Sequence, residues 1–481
     1  MFPYASPSVP RRFLAAPALL AALALGCKVG PDYTAPRAAP GGGWSQPADP
    51  GAPALDRWWR TLGDPTLDRL EETALAGAAD HGNLDLRQAG ERIQEARALR
   101  DQAAGGRWPT LDADASVTRE KQTMNGLMPI NLIPGRTRTV SIYDAGFDAS
   151  WEPDLFGRTG RRVESAQAQA EAVQAQAADL RLSVAAEVAR TYLALRGAQR
   201  ELAARTAVAA ALRGILASTR ARSQAGDLPM AEVDLAQNQV DQAEAQLPPL
   251  RAEIQQEVLG LGILLGQPPE SEAELADSAP PDLALAPIPV GQRADLLRRR
   301  PDVRVAERQL AAATADIGAT KAEWFPRLAI GAHAGFESLQ SSTLFQPGSQ
   351  LLSLTPLISW RILDGGRIRA EVHAAEARQR EAALGYEKAV LGALTDAERA
   401  LAGYRIGLDG LQAQQTALAS AQAAYGHAQA RYRAGDIRIG DLLASERAVH
   451  EVEDGLERAR TGAAVDLVAL YKALGGGWGN S

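Results

Sequence analysis

Two long stretches of the chain lack proline and space their apolar residues as helices do. They cover residues 158–225 and 367–434. Heptad spacing is visible in the second stretch, at Leu394, Ala397, Leu401, Tyr404, Leu408 and Leu411. At 1.5 Å per residue, each stretch predicts a helix about 100 Å long, several times the thickness of a bilayer core. Helices of this length indicate coiled-coil packing.

Other segments alternate apolar and polar residues with the period of two that is typical of β-strands. One segment alternates Leu111, Ala113, Ala115 and Val117 with Asp112, Asp114, Ser116 and Thr118. A second alternates Ala145, Phe147, Ala149 and Trp151 with Asp144, Gly146, Asp148 and Ser150. A third alternates Leu352, Leu354, Ile358, Trp360 and Ile362 with Ser353, Thr355, Ser359 and Arg361. Turn-rich residues 125–136 and 341–350 separate paired strands. The sequence therefore predicts two hairpins, each with one apolar and one polar face.

The chain is internally duplicated. An offset of 217 residues relates Asp85 to Asp302 and carries Trp108-Pro109 onto Phe325-Pro326. An offset of 209 relates Trp151 to Trp360, and it also holds for the later landmarks Gly157-Arg158 over Gly366-Arg367, Ala225-Gly-Asp-Leu over Ala434-Gly-Asp-Ile, and Leu265-Gly266 over Leu474-Gly475. The change of eight falls between the proline and tryptophan landmarks, as expected if that loop is longer in the first copy.

Both copies predict the same order of elements. Helical runs over 67–102 and 294–322 end before Trp-Pro or Phe-Pro, because the residue before proline is pushed out of the α region. A hairpin and a long helix follow, and after an Ala-Gly-Asp turn a shorter helix returns over 229–265 or 440–474. Pro229 is typical of a helix start, and Gly226 and Gly435 are typical of helix C-termini.

The N-terminus predicts export. Arg11 and Arg12 precede the apolar run 13–25, which is too short to be a spanning helix, and Gly26 precedes Cys27, the single cysteine of the chain. The sequence 24–27 resembles a bacterial lipobox, which implies that Cys27 carries diacylglycerol and palmitate; an ordinary cleavage site is the alternative. Lys28, and not an aspartate, follows the cysteine; by resemblance to other lipoproteins, this favours sorting to the outer membrane over retention in the inner membrane.

These patterns divide the chain into six predicted segments. They are a lipoprotein signal peptide (1–26), an anchored extended segment (27–66), a first repeat (67–266), a linker (267–292), a second repeat (293–475) and a C-terminal tail (476–481).

Composition excludes several classes of protein. With 46% apolar and 23% charged residues the chain is not disordered. A net charge of −7 and a pI near 5.5 argue against a nucleic-acid partner. The five histidines lie singly, without metal-ligand spacing, and the glycine clusters lack the lysine of a P-loop. We therefore expect neither catalysis nor a metal or other cofactor apart from the lipid on Cys27.

Four amphipathic strands are too few to close a barrel, which takes about eight or more. Backbone polar groups must all be paired in lipid, so strands that span a bilayer would have to come from several subunits, and three subunits would supply twelve. Asp112, Asp114, Asp144 and Asp148 would then line a water-filled lumen; the alternative is the edge of a soluble β-sandwich. Four aromatic residues flank the strands, and they either form an interfacial girdle or, the interpretation favoured slightly, pack where strand meets helix: Trp108, Trp151, Phe325 and Trp360.

Several motifs resemble the TolC family of outer-membrane factors, and within it the NodT/OprM-type lipoproteins. They are Gly26-Cys-Lys-Val-Gly-Pro-Asp-Tyr33, Trp58-Trp59 with Gly63-Asp-Pro-Thr-Leu67, Asp295-Leu-Leu-Arg-Arg-Arg-Pro-Asp-Val303, Ala322-Glu-Trp-Phe-Pro-Arg-Leu328 and Arg431-Tyr-Arg-Ala-Gly-Asp436. The resemblance covers nearly the whole chain. It implies a mainly α-helical homotrimer in which four strands per chain build a 12-stranded outer-membrane barrel that continues into a long periplasmic α-helical barrel.

The resemblance also implies a passive exit duct for small molecules such as drugs, in a tripartite system with a periplasmic membrane-fusion adaptor and an inner-membrane RND-type pump. The adaptor-contact tips would be Gly226, Asp227 and Leu228, with Gly435, Asp436 and Ile437. Asp441 and Glu446 lie in the region where acidic residues of the family narrow the closed entrance. Two alternatives stay open: a type I secretion duct for polypeptides, and a lipid-anchored periplasmic coiled-coil adaptor without a pore.

Overall fold

A computed structural model describes residues 28–36, 41–47, 49–76, 82–121, 123, 139–281, 283 and 285–477. Its main helices are α1 (Pro65–Ala74), α2 (Leu84–Gly105), α3 (Arg158–Gln224), α4 (Met230–Ala245), α5 (Leu247–Leu264), α6 (Arg293–Arg299), α7 (Pro301–Lys321), α8 (Arg367–Ala434) and α9 (Ile439–Ala473). Its strands are β1 (Thr110–Lys121), β2 (Thr139–Trp151), β3 (Arg327–Ser338) and β4 (Gln350–Ser359). Cys27 and the predicted turn at 125–136 lie outside the described residues.

The element order repeats, as the internal duplication predicts. Two helices, two strands, a long helix and a returning segment occur first as α1 to α5 with β1 and β2, and again as α6 to α9 with β3 and β4. The two long helices have nearly the predicted bounds: α3 is 67 residues long and α8 is 68. Among the described residues, none of the helices combines the length and the apolar character that a membrane span requires.

Three predicted helical runs are wrong in one respect, because each is divided in two. Arg300 is extended (ψ 122°) before Pro301, so α6 ends and α7 begins there. In the first copy Asn83 caps α2, its Oδ1 accepting the Asp85 N–H at 2.9 Å. The returning run over 229–265 breaks at Gln246, since Pro248 and Pro249 cannot donate the backbone hydrogen bonds that a continuous helix needs.

The four strands form one antiparallel sheet in the order β1-β2-β3-β4. Hairpins join β1 to β2 and β3 to β4, and the β2–β3 pair joins the two copies; Asp148 lies opposite His333 and Phe147 opposite Ala334. The third predicted strand was too long at its C-terminal end: it included Trp360 and Ile362, whereas β4 ends at Ser359. The sheet therefore unites the strands of both copies into one two-faced surface.

The described chain divides into two compact units. One contains the sheet and consists of residues 28–35, 95–171 and 307–384. The other consists of residues 36–94, 172–306 and 385–477, and it holds the largest apolar core. In that core the ring of Trp58 stacks on Tyr471 at 4.9 Å, and Tyr192, Leu261 and Leu296 are fully buried.

Glu71 is a buried carboxylate in this core, and we expect its replacement by methionine to stabilise the protein. Its side chain is fully buried, and neither carboxylate oxygen has a hydrogen-bond partner among the described residues. Burial raises the pKa of Glu71 well above its ordinary value of 4.5. The unfolded chain then loses its proton at a lower pH than the folded chain, so stability falls as pH rises above about 4.5.

Glu71→Met should therefore raise the free energy of unfolding by about 1–3 kcal/mol at pH 7, with a smaller gain near pH 4, measured as thermal unfolding in detergent. The neighbouring Glu72→Met is the control, because Glu72 is half-exposed and pairs with Arg60 at the surface. A gain that is equal at both pH values would contradict this account of Glu71.

Candidate functional site

The sheet has one polar and one apolar face. One cross-strand row places Asp112, Asp148, His333 and Ser353 side by side, and the neighbouring row on the opposite face holds Ala113, Phe147, Ala334 and Leu352. The large apolar side chains on the second face are exposed in the chain: Leu111, Val117, Phe147, Leu352, Leu354 and Ile358. An apolar surface of this extent is typical of contact with membrane lipid or another protein.

Strands β1 and β4 are the edges of the sheet, and within the described residues each pairs on one side only. Their outer backbone N–H and C=O groups are free to pair with further strands. In hydrocarbon such edges cannot stay unpaired. A four-stranded sheet with a lipid-facing surface therefore needs further strands at both edges.

Tryptophans at the strand ends repeat one contact in both copies. The Trp151 indole N–H donates to the Arg107 carbonyl at 3.0 Å, and the Trp360 indole N–H donates to the Trp324 carbonyl at 3.0 Å. Both indoles are exposed, as are Trp108 and Phe325, and the Phe325 ring also stacks on Phe156 at 4.7 Å. The contacts of Trp151, Trp360 and Phe325 lie where strand meets helix, and the two interpretations, packing there or an interfacial girdle, both stay predictions.

The segment that follows Cys27 is held by a buried arginine of α3. Arg161, with a side chain only 1% exposed, donates to the Val29 carbonyl at 3.2 Å, to the Gly30 carbonyl at 3.3 Å and to Asp32 at 2.8 Å. Gly30 (φ 93°) has no room for a side chain, since a Cβ would lie 2.4 Å from the Gly318 Cα. The chain next to the predicted lipid acceptor is therefore fixed against α3 and α7.

The two Ala-Gly-Asp turns are built in the same way. Gly226 (φ 89°) donates its N–H to the Ser223 carbonyl at 3.0 Å, and the Asp227 N–H reaches back to the Arg222 carbonyl at 2.9 Å. In the second copy Gly435 (φ 81°) donates to Tyr432 at 3.0 Å and Asp436 to Arg431 at 2.9 Å. These bonds satisfy carbonyls at the ends of α3 and α8, and the left-handed conformation explains the two glycines.

The predicted tip residues lie on the surface of these turns. Gly226, Asp227, Gly435 and Asp436 are exposed, while Leu228 and Ile437 are half-buried. Beneath the turns is a separate apolar cluster formed by Leu212, Leu216, Val233, Ala236, Val240, Ile439 and Leu443. Arg222 also joins the turns directly, since it donates to the Tyr432 hydroxyl at 2.8 Å.

The two acidic residues near the turns differ in environment. Asp441 is exposed and accepts the Arg438 N–H at 3.2 Å, so it caps the start of α9. Glu446 is buried, and its Oε1 accepts the Tyr425 hydroxyl at 3.3 Å. Burial raises the pKa of Glu446 above its ordinary value. Of the two, only Asp441 presents its carboxylate to solvent.

The family assignment comes from the comparison of the whole chain with known proteins. A family model described as "Outer membrane efflux protein" matches residues 75–267 and 293–476. The chain belongs to the outer membrane efflux protein family. It is 33% identical over 463 residues to the solvent efflux pump outer membrane protein SrpC of Pseudomonas putida, covering 94% of this chain and 96% of SrpC. It is also 33% identical over 471 residues to OprJ of Pseudomonas aeruginosa, and the match covers 96% of this chain and 95% of OprJ.

Solved structures of this family have the same fold. The outer-membrane channel OprN superposes with a TM-score of 0.85 at 34% identity, covering 94% of this chain and all of that one. The open state of the Neisseria gonorrhoeae MtrE channel superposes with a TM-score of 0.81 at 25% identity, and the match covers 94% of this chain and 99% of MtrE. The predicted family, its duplicated α-plus-β channel fold, its role as an efflux exit duct and its outer-membrane location extending into the periplasm are confirmed. The alternative of an adaptor without a pore is wrong, because these proteins are channels.

Proposed function

We propose that three copies of this chain close a 12-stranded barrel and act as a passive exit duct for small molecules. The observation that carries the proposal is the two-faced four-stranded sheet with both edges free. Lipid covers the face that contains Phe147 and Leu354, and the face that contains Asp112 and Asp148 lines a water-filled passage. The duct performs no bond chemistry: water and acidic side chains lower the barrier for polar and amphipathic cargo.

The cargo is proposed from the relatives. Those of 30% identity or more include efflux pump outer membrane proteins named for solvents and for toluene, and an outer membrane protein named for pyoverdine export. These compounds are small and chemically unlike one another, which fits a duct whose cargo is chosen by another component. Small-molecule efflux through an inner-membrane RND-type pump and a periplasmic adaptor is therefore favoured over polypeptide secretion.

We also propose that Cys27 carries diacylglycerol and palmitate and anchors the chain in the outer membrane. The contacts of Arg161 with Val29 and Asp32 support this placement, because they fix the backbone directly after the acceptor. Cys27→Ser should take up no labelled palmitate, and persistent labelling would place the acceptor elsewhere.

The adaptor is proposed to contact the two turns, since both are exposed and built alike. Reversing both turn carboxylates, in the variant Asp227→Lys with Asp436→Lys, should leave ion conductance in planar lipid films unchanged, because backbone bonds hold the turns. Export in cells that supply pump and adaptor should fall by roughly tenfold, equivalent to about 1.4 kcal/mol of lost contact energy.

The matched control reverses two exposed carboxylates on the returning helices, Asp234→Lys with Glu451→Lys. It changes the net charge equally and leaves the turns untouched, so export should persist. Equal export by both double variants would contradict the contact role of the turns. A wild-type protein that conducts no ions would contradict the duct itself.

A further inference from the structure

The polar face of the sheet contains a hollow that holds the ring of His333. His333 lies opposite Asp148 in the β2–β3 pair, with its Nδ1 3.0 Å from the Asp148 Oδ1. Its Nε2 is 3.8 Å from the Asp144 Oδ2, which is too far for a hydrogen bond. Each ring nitrogen thus faces a carboxylate, at a short distance on one side and a longer distance on the other.

Two glycines form the floor of this hollow. Gly146 and Gly335 are paired across β2 and β3. A Cβ on Gly146 would lie 2.9 Å from the His333 Cε1, and one on Gly335 would lie 2.9 Å from its Nε2. Because neither position has a side chain, the imidazole lies down on the sheet and is only 15% exposed. The ring orientation is therefore set by the strands and not by a free rotamer.

A second carboxylate from β1 completes a set of metal-ligating groups. One ligand atom each from Asp114, Asp148 and His333 lies within 4.8 Å of the others. Three hydrogen-bonded strands fix these positions relative to one another. Bond lengths of about 2.0–2.2 Å to imidazole and carboxylate place the ligands of a tetrahedral zinc site about 3.3 Å apart. The distance of 3.0 Å between the His333 Nδ1 and the Asp148 Oδ1 is already close to that value. Rotation of the exposed Asp114 carboxylate would bring its oxygen to a similar distance from both atoms.

We propose that Asp114, Asp148 and His333 bind a divalent transition-metal ion of the zinc class. An imidazole with carboxylates suits Zn²⁺, whereas Ca²⁺ and Mg²⁺ take oxygen ligands only. Asp144 lies on the side of the second ring nitrogen, but at 3.8 Å it makes no hydrogen bond to that nitrogen. The site lies within one chain, so it does not rest on the proposed trimer or on the identity of the cargo.

The test uses the full chain purified in detergent without a polyhistidine tag and stripped with a chelator. Calorimetry with Zn²⁺ should give one site per chain that a large excess of Ca²⁺ does not displace, and Co²⁺ should give a visible absorption band at the same stoichiometry. His333→Ala and Asp148→Asn should each weaken Zn²⁺ binding by at least about tenfold, because even outer-shell changes cost 10–100-fold. His373→Ala is the control, since His373 is an exposed helical histidine outside the sheet.

The glycine floor supplies a second comparison in which every ligand is kept. Gly335→Ala places a methyl group 2.9 Å from the imidazole and 2.7 Å from the Ala145 carbonyl and the Gly146 Cα of β2, so it should displace the ring and the strand pairing and weaken Zn²⁺ binding. Gly331→Ala, on the same face of β3, meets only the Thr355 carbonyl at 3.7 Å and should not. His333→Ala removes the ring and Asp148→Asn keeps the size of the side chain while removing its charge, so neither overpacks the sheet, and they decide the question if Gly335→Ala fails to fold. Absence of Zn²⁺ binding by the parent chain, or equal binding by His333→Ala, would overturn the site.

Discussion

Leu354→Arg is expected to prevent stable insertion of the protein into the outer membrane. Leu354 lies midway along β4 on the apolar face, opposite Ala332, and its side chain is 70% exposed in the chain. An arginine on the lipid face of a transmembrane strand costs about 2–4 kcal/mol near the bilayer midplane, and an assembly bears that cost in every subunit. The variant should be depleted from the outer-membrane fraction and give no channels in planar lipid films.

The neighbouring position provides the matched control. Thr355 is the next residue of β4, so its side chain projects from the polar face, opposite Gly331. Thr355→Arg introduces the same charge at the same depth but into the proposed aqueous passage, and it should insert normally while changing ion selectivity. Equal depletion of both variants would mean that the two faces are not distinguished by lipid and water.

Arg161→Met is expected to release the segment that follows Cys27. The substitution keeps an unbranched side chain but removes the charge and every hydrogen bond of Arg161, including those to the Val29 and Gly30 carbonyls and to Asp32. Hydrogen bonds made by a charged group contribute about 1.5–3 kcal/mol to stability, and the buried guanidinium makes them to a segment that is itself exposed or half-buried. Trypsin should then cut after Lys28 in folded protein, where the parent chain resists cleavage, and the thermal midpoint should fall.

Arg162→Met serves as the control, because Arg162 is the next residue of α3 and its side chain is exposed. It removes the same charge without touching the anchoring segment, so cleavage after Lys28 should stay slow. Rapid cleavage in the parent chain, or none in Arg161→Met, would show that Arg161 does not hold the segment.

Three of the four strands (β1, β2 and β4) and both long helices could be predicted from the sequence because each follows a single rule. Apolar and polar residues alternate over Leu111 to Thr118, and successive side chains of a strand point to opposite faces, so the pattern alone predicts β1 and its two faces. The 68-residue α8 has no proline and no competing turn, so its predicted bounds agree with the structure. Gly226 and Gly435 were recognisable as helix ends because only glycine adopts φ near 90° without strain.

Prolines in the sequence mark the helix breaks, but the helical spacing of apolar residues on both sides favoured continuous helices. Pro301 divides α6 from α7, and Pro248 with Pro249 divides α4 from α5. Apolar spacing continues across each break although the two helices need not share a core: α4 packs on the cluster beneath the turns, and α5 packs on the largest core. The helices break because proline lacks the backbone N–H that a continuous helix needs, and the pattern of apolar residues does not contain this information.

The grouping around His333 could not be predicted from the sequence. His333 and Asp148 are 185 residues apart and meet only because β2 of the first copy pairs with β3 of the second. Alternation gives the face on which a residue lies but not which strands are neighbours or their register. The sequence pattern therefore placed the aspartates on a polar face, while His333 appeared to be isolated.

Counting subunits in the detergent-purified protein by native mass spectrometry tests the central claim most directly. Four strands with two free edges require partners, and three copies supply the twelve strands of the proposed barrel. The account predicts a single species with three times the mass of one lipidated chain. A species containing one chain, with no larger assembly at any protein concentration, would contradict it.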